Sequence, residues 1–70
     1  MRGGEYQAWA FVGSGVKTDQ FQSIQEAITW ASEYGEWVVF ERISHGWRAV
    51  RHGGERGKAA ASAVPGSAAD

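Results

Sequence analysis

FQSIQEAITWASEYGEWVVF, residues 21–40, decides how this chain folds. Ser23-Ile24-Gln25-Glu26 is a capping box, in which the Ser23 hydroxyl accepts from a first-turn amide while the Glu26 carboxylate reaches back to the amide of Ser23. Ile24, Ala27, Ile28, Ala31 and Tyr34 then recur at spacings of three and four, an apolar stripe along one helical face. Gly35 is the stop, because it tolerates the left-handed conformation that ends a helix. The stretch predicts one amphipathic helix. The continuous apolar run Trp37-Val38-Val39-Phe40 behind it predicts a buried strand.

Working outward, Tyr6 to Val12 reads as an aromatic-rich strand that ends at Gly13-Ser14-Gly15 and resumes from Val16 to Phe21, a hairpin with a short Gly-containing loop. Beyond the helix, the strand from Trp37 to Ile43 turns at His45-Gly46 and returns as Trp47 to His52. The expected fold is α+β with the order β-β-α-β-β: a four-stranded antiparallel sheet, one helix packed on one face, and a disordered C-terminal tail. The segment from Phe21 through Gly46 resembles several small bacterial sheet-and-helix domains of unknown function. Its opening, an aromatic followed by Ser and then Gln-Glu-Ala-Ile, is also similar to the helix of three-stranded DNA-reading domains in plants and in phage-integrase arms. Those place three strands before the helix; two precede it here, so their DNA-reading function does not carry over.

Seventy residues allow one domain. Residues 53–70, GGERGKAAASAVPGSAAD, hold no aromatic residue and a lone Val64, too little apolar surface to offset the entropy of ordering them. The expected division is a flexible N-terminus at 1–4, a domain at 5–52 and a flexible tail at 53–70. With no Cys and no Leu, neither disulfides nor thiolate ligands are available, and the core falls to Trp9, Phe11, Val12, Phe21, Ile24, Ile28, Val38, Val39, Phe40, Ile43 and Val50. So small a core suggests a partner or self-association. No run approaches the roughly 20 apolar residues of a membrane span, and no secretory signal is apparent at the N-terminus. The expectation is a cytoplasmic protein without membrane contact. Size and Ala-, Gly-, Arg- and Trp-rich composition suit an origin in a bacterium, its phage or a mobile element.

The chemistry of the chain is sparse. Ser44 and His45 are adjacent, and strand alternation would send neighbours to opposite faces, away from a nucleophile–base pair. His45 and His52 sit on opposite ends of one strand, roughly 20 Å apart and too far for a shared metal. Gly13-Ser14-Gly15 lacks the strand–loop–helix setting of a phosphate cradle. A body this small also leaves little room for a ligand pocket. No catalytic residue, metal, cofactor or small-molecule substrate is assigned.

What remains is the last hairpin. Charge is unevenly divided: residues 5–41 hold six acids against Lys17, whereas residues 42–58 hold five bases against Glu55. With His45-Gly46 as a two-residue turn, Ile43 lies opposite Arg48 and Arg42 opposite Ala49. Trp37, Val39, Ile43 and Val50 then share one face, and Val38, Phe40, Trp47 and Ala49 share the other with Arg42 and Arg51. One helix covers one face, so the other is expected to carry a contact surface. Its residues are Arg42, Trp47, Arg48, Arg51 and His52, and at least one of the four Trp is expected to be part exposed. Trp and Arg are the residues most enriched at protein hot spots. The expected partner is a protein or a second copy. The alternative is nucleic acid held by stacking and phosphate pairing, against which stand a pI near 6.1 and the nearby Glu36, Glu41 and Glu55.

Overall fold

Two hairpins and two helices follow one another along residues 4–63, the part of the chain that the computed structural model describes. The strands are β1 (Tyr6–Val12), β2 (Gly15–Phe21), β3 (Trp37–Ile43) and β4 (Gly46–Gly53), and the helices are α1 (Ile24–Ser32) and α2 (Gly54–Ala63). The sheet is antiparallel throughout, in the order β2-β1-β3-β4. The α+β class and the four-stranded antiparallel sheet are as expected from the sequence. The element order is β-β-α-β-β-α, with a second helix where a tail was expected.

The first hairpin closes as Val12 opposite Gly15, around a Gly13 whose φ of 59° fits the left-handed first position of the primed hairpin turns. Helix α1 starts with the Ser23 half of the expected capping box: the Ser23 hydroxyl accepts from Glu26 N at 3.2 Å. It ends before Gly35, whose φ is 90°. Its buried stripe is Ala27 and Ala31, packed on Ala8 of β1 and Val39 of β3 with Tyr6, Phe21, Ile24, Ile28, Trp30, Trp37 and Val50 around them. Three alanines at this contact let the helix approach the sheet closely. Ala8 and Ala10 are fully buried, whereas Val12 is 45% exposed at the hairpin end, against its assignment to the core.

The second hairpin turns through Ser44-His45, with Ile43 opposite Gly46, one residue earlier than the sequence reading placed it. Arg42 therefore lies opposite Trp47 and Glu41 opposite Arg48. A bulge follows, because Phe40 pairs with Ala49 and Val39 with Arg51, leaving Val50 as the extra residue. Val50 joins the core beneath α1.

Helix α2 overturns the expectation of a disordered segment across Gly54–Ala63; residues 64–70 and 1–3 lie outside the described residues, and Gly4, at the other end, is buried against the backbone of Phe21. An Ala-rich sequence has high helix propensity without needing large apolar side chains, and the tertiary structure anchors it. Glu36 accepts from Arg56 Nε at 2.6 Å and from Arg56 N at 3.2 Å, so one carboxylate both pairs the guanidinium and caps the first turn. Arg56 also donates to Gly13 O at 2.6 Å and lies over the Phe11 ring. Those Arg56 bonds hold the Glu36 carboxyl below its ordinary 4.5. Gly57 is buried where a Cβ would overlap Trp37 O, so the helix rides directly on the β3 backbone.

Candidate functional site

Register assigns every strand side chain to one of two faces. Ala8, Val39, Glu41 and Arg48 align on the α1 side; Gln7, Trp9, Phe11, Val38, Phe40, Arg42, Trp47, Ala49 and His52 align on the other. Val38 points away from α1 yet is fully buried, and α2, packed on β3 and β4, supplies its cover. The far face is therefore partly covered rather than free of helix, as the single-helix reading had it. At the Arg42–Trp47 end, Gln7, Trp9, Phe40 and Trp47 line a cleft of about 150 Å³.

The cleft is built by cross-strand neighbours from three adjacent strands. Trp9 meets Phe40 edge to face, centroids 5.0 Å apart at 66°, a favoured aromatic geometry. Phe40 is 2% exposed and forms the floor, while Trp9 and Trp47 are half-buried walls. The Arg42 guanidinium sits 4.9 Å from the Trp47 ring centroid, a cation–π contact. Trp9 Nε1 is buried without a hydrogen-bond partner. All four Trp are half-buried, consistent with the expectation that not all would be hidden.

The five residues expected to form the surface are divided by the fold. Arg42, Trp47 and His52 share the cleft face, with His52 opposite Val38 towards the α2 end. Arg48 is on the α1 side, where it pairs Glu41 at 2.8 Å. Arg51 is carried by the bulge to a position opposite Val39, and its guanidinium donates to Val50 O at 2.7 Å. The grouping of Arg51 with Arg42 is thus corrected: an extra residue in β4 reverses the alternation on which it rested. Gln7, Trp9 and Phe40 are absent from the five. Their signal is the alternation Gln7, Trp9, Phe11 in β1, which becomes legible only once β1 is known to lie beside β3.

Two other features bear on chemistry. Ser44 Oγ and His45 Nδ1 are 3.1 Å apart at the exposed hairpin tip, because turn residues do not alternate as strand residues do. A second, open cleft of about 470 Å³ lies between α1 and the end of β2, lined by Phe21, Gln25, Glu26, Thr29 and Trp30, larger than a body this small was expected to offer. Among the described residues no group of three or more His, Asp or Glu could hold a metal ion, and no helix is long and apolar enough to cross a membrane. No protein-family model matches the chain, and neither a curated protein nor a solved structure matches it.

Proposed function

We propose that this chain is a small non-enzymatic binding module whose partner is a protein, taken at the Gln7–Trp9–Phe40–Trp47 cleft. One observation carries this reading: a concave aromatic site with Arg42 standing over Trp47, on the part of the sheet face that α2 leaves open. At about 150 Å³ the cleft is smaller than the roughly 300–1,000 Å³ of sites that enclose a drug-sized ligand, and suits an anchoring side chain from a partner. An aromatic wall beside an Arg is the composition of an interface hot spot.

The test is selection of peptides from a display library on the immobilised protein. Bound sequences should share an apolar anchor and weaken at least about tenfold on Trp47→Ala, a change of about 1.4 kcal/mol in binding. Arg51→Ala, on the opposite face, should leave them unaffected. Peptides indifferent to Trp47→Ala would remove the cleft from the account.

A second reading, nucleic acid, is favoured by a separate observation. Arg42 and His52 share the cleft face with Trp47, while Glu41 is on the α1 side with Arg48 and Glu36 is engaged by Arg56; Glu5, in register opposite Arg42 just before β1, is the carboxylate that opposes this reading. Fluorescence anisotropy with short single-stranded DNA and RNA discriminates. Binding that falls steeply with salt and flattens in Arg42→Ala supports it, and a flat trace at low salt removes it.

A further inference from the structure

The outer edge of β2 carries its own information, independent of the cleft. Phe11 N donates to Glu36 O and Arg42 N to Glu5 O, so odd-numbered residues of β1 bond towards β3 and even-numbered ones towards β2. Their β2 partners Gly15, Lys17, Asp19 and Phe21 consequently bond inward. Val16, Thr18 and Gln20 are left with their N–H and C=O groups directed at the open edge. One of those amides, Gln20 N, is met by the neighbouring Asp19 Oδ1 at 2.8 Å. The strand runs seven residues in unbroken register, and all but Phe21 are exposed, with Val16 at 50%. The opposite edge, β4, is interrupted by its bulge, one of the devices that blunt an edge; β2 has no bulge, and the charges it carries are Lys17 and Asp19.

We infer that β2 pairs antiparallel with β2 of a second copy of this chain, about a two-fold axis through Thr18, to make one continuous eight-stranded sheet. Charge selects that register. An axis through Lys17 would set Lys17 on its own copy, and one through Asp19 would set Asp19 on its own copy; like charges directly opposite are destabilising. Through Thr18, Lys17 meets the second copy's Asp19 and Asp19 meets its Lys17, two cross-strand ion pairs on the α1 side. The same register brings edge-directed groups together, Thr18 on Thr18 and Val16 on Gln20, so each exchanges backbone hydrogen bonds. It also sets Phe21 opposite Gly15, which offers no side chain to oppose the ring. Asp19 gives up the Gln20 amide to the partner strand and gains Lys17 of that strand; Lys17, now 5.7 Å from the Tyr34 ring centroid, keeps its place on the same face. Residues directly opposite share a face, so both copies present their Trp47 clefts on one side and both α1 helices on the other.

Sedimentation equilibrium of the full chain tests this. The expected result is a species at twice 7.6 kDa whose dissociation constant rises with salt. Lys17→Asp alone and Asp19→Lys alone should each weaken the dimer at least about tenfold, since every ion pair becomes a repulsion. An equimolar mixture of the two variants should dimerise again, because the two acids on the edge of the first then face the two bases on the edge of the second. Circular dichroism of each variant checks that exposed edge changes leave the fold in place, and recovery in the mixture itself requires folded partners. A wild-type monomer at millimolar concentration overturns the inference. So does a dimer indifferent to both charge changes, and one that Trp47→Ala dissociates belongs to the cleft instead.

Discussion

At the scale of single residues, the unusual positions are those where side chains of distant segments meet. Gly57 lies in a helix, where Gly→Ala ordinarily gains up to about 1 kcal/mol of stability. Here a Cβ would overlap Trp37 O, so Gly57→Ala is expected to reverse that sign and cost about 1–3 kcal/mol in a denaturant titration. Glu36 offers a pH test. Its carboxyl titrates below 4.5 because it accepts from Arg56, so the stability it contributes is complete above that value and is lost as pH falls through the lowered one. The difference in melting temperature between wild type and Glu36→Gln should be present at pH 7 and shrink as pH falls below 4.5. A constant difference across that range would place the role of Glu36 in packing rather than charge.

Among the elements, α1 and α2 are stabilised in different ways. Helix α1 has a capping Ser, an apolar stripe and a terminal Gly, so its local sequence and its packing agree. Helix α2 has Ala propensity alone, and its hold on the sheet is Arg56 with Glu36, Gly13 and Phe11, together with the close seat of Gly57. Removing residues 55–70 uncovers Val38, a fully buried side chain worth about 1.5–3 kcal/mol when hidden, and releases Glu36. Truncation after Gly54 is therefore expected to lower the unfolding midpoint and broaden the transition. An unchanged melt would mean that α2 contributes nothing to the sheet. Propensity was present in the residues of α2; its packing was not legible, because the contacts that retain it span 20 and 43 residues of sequence.

For the molecule as a whole, the two surfaces predict separable behaviour. Trp47→Ala removes a half-buried wall of the cleft, so partner peptides should be lost while the unfolding midpoint falls only modestly. Charge changes at Lys17 and Asp19 should shift sedimentation and leave a single peptide's affinity per chain unchanged. A paired molecule would present two clefts on one side, so a divalent peptide would bind more tightly to wild type than to Lys17→Asp, the excess set by linker length. Equal affinity for both proteins would separate the clefts from any shared platform.

The four strands, α1 and the apolar character of both sheet faces were determined by the chain's own sequence, since alternation, capping and turn chemistry act between residues a few positions apart. The composition of the site was decided at longer range. A turn one residue earlier and a single bulge at Val50 separated Arg51 from Arg42, placed Arg48 against Glu41, and brought Trp9 and Phe40 under Trp47. The residue added at Val50 exchanges the faces beyond it in a strand of period two, whereas the earlier turn slides the pairing by two positions and keeps them; the choice among registers is made by burial across strands, which only the tertiary structure contains.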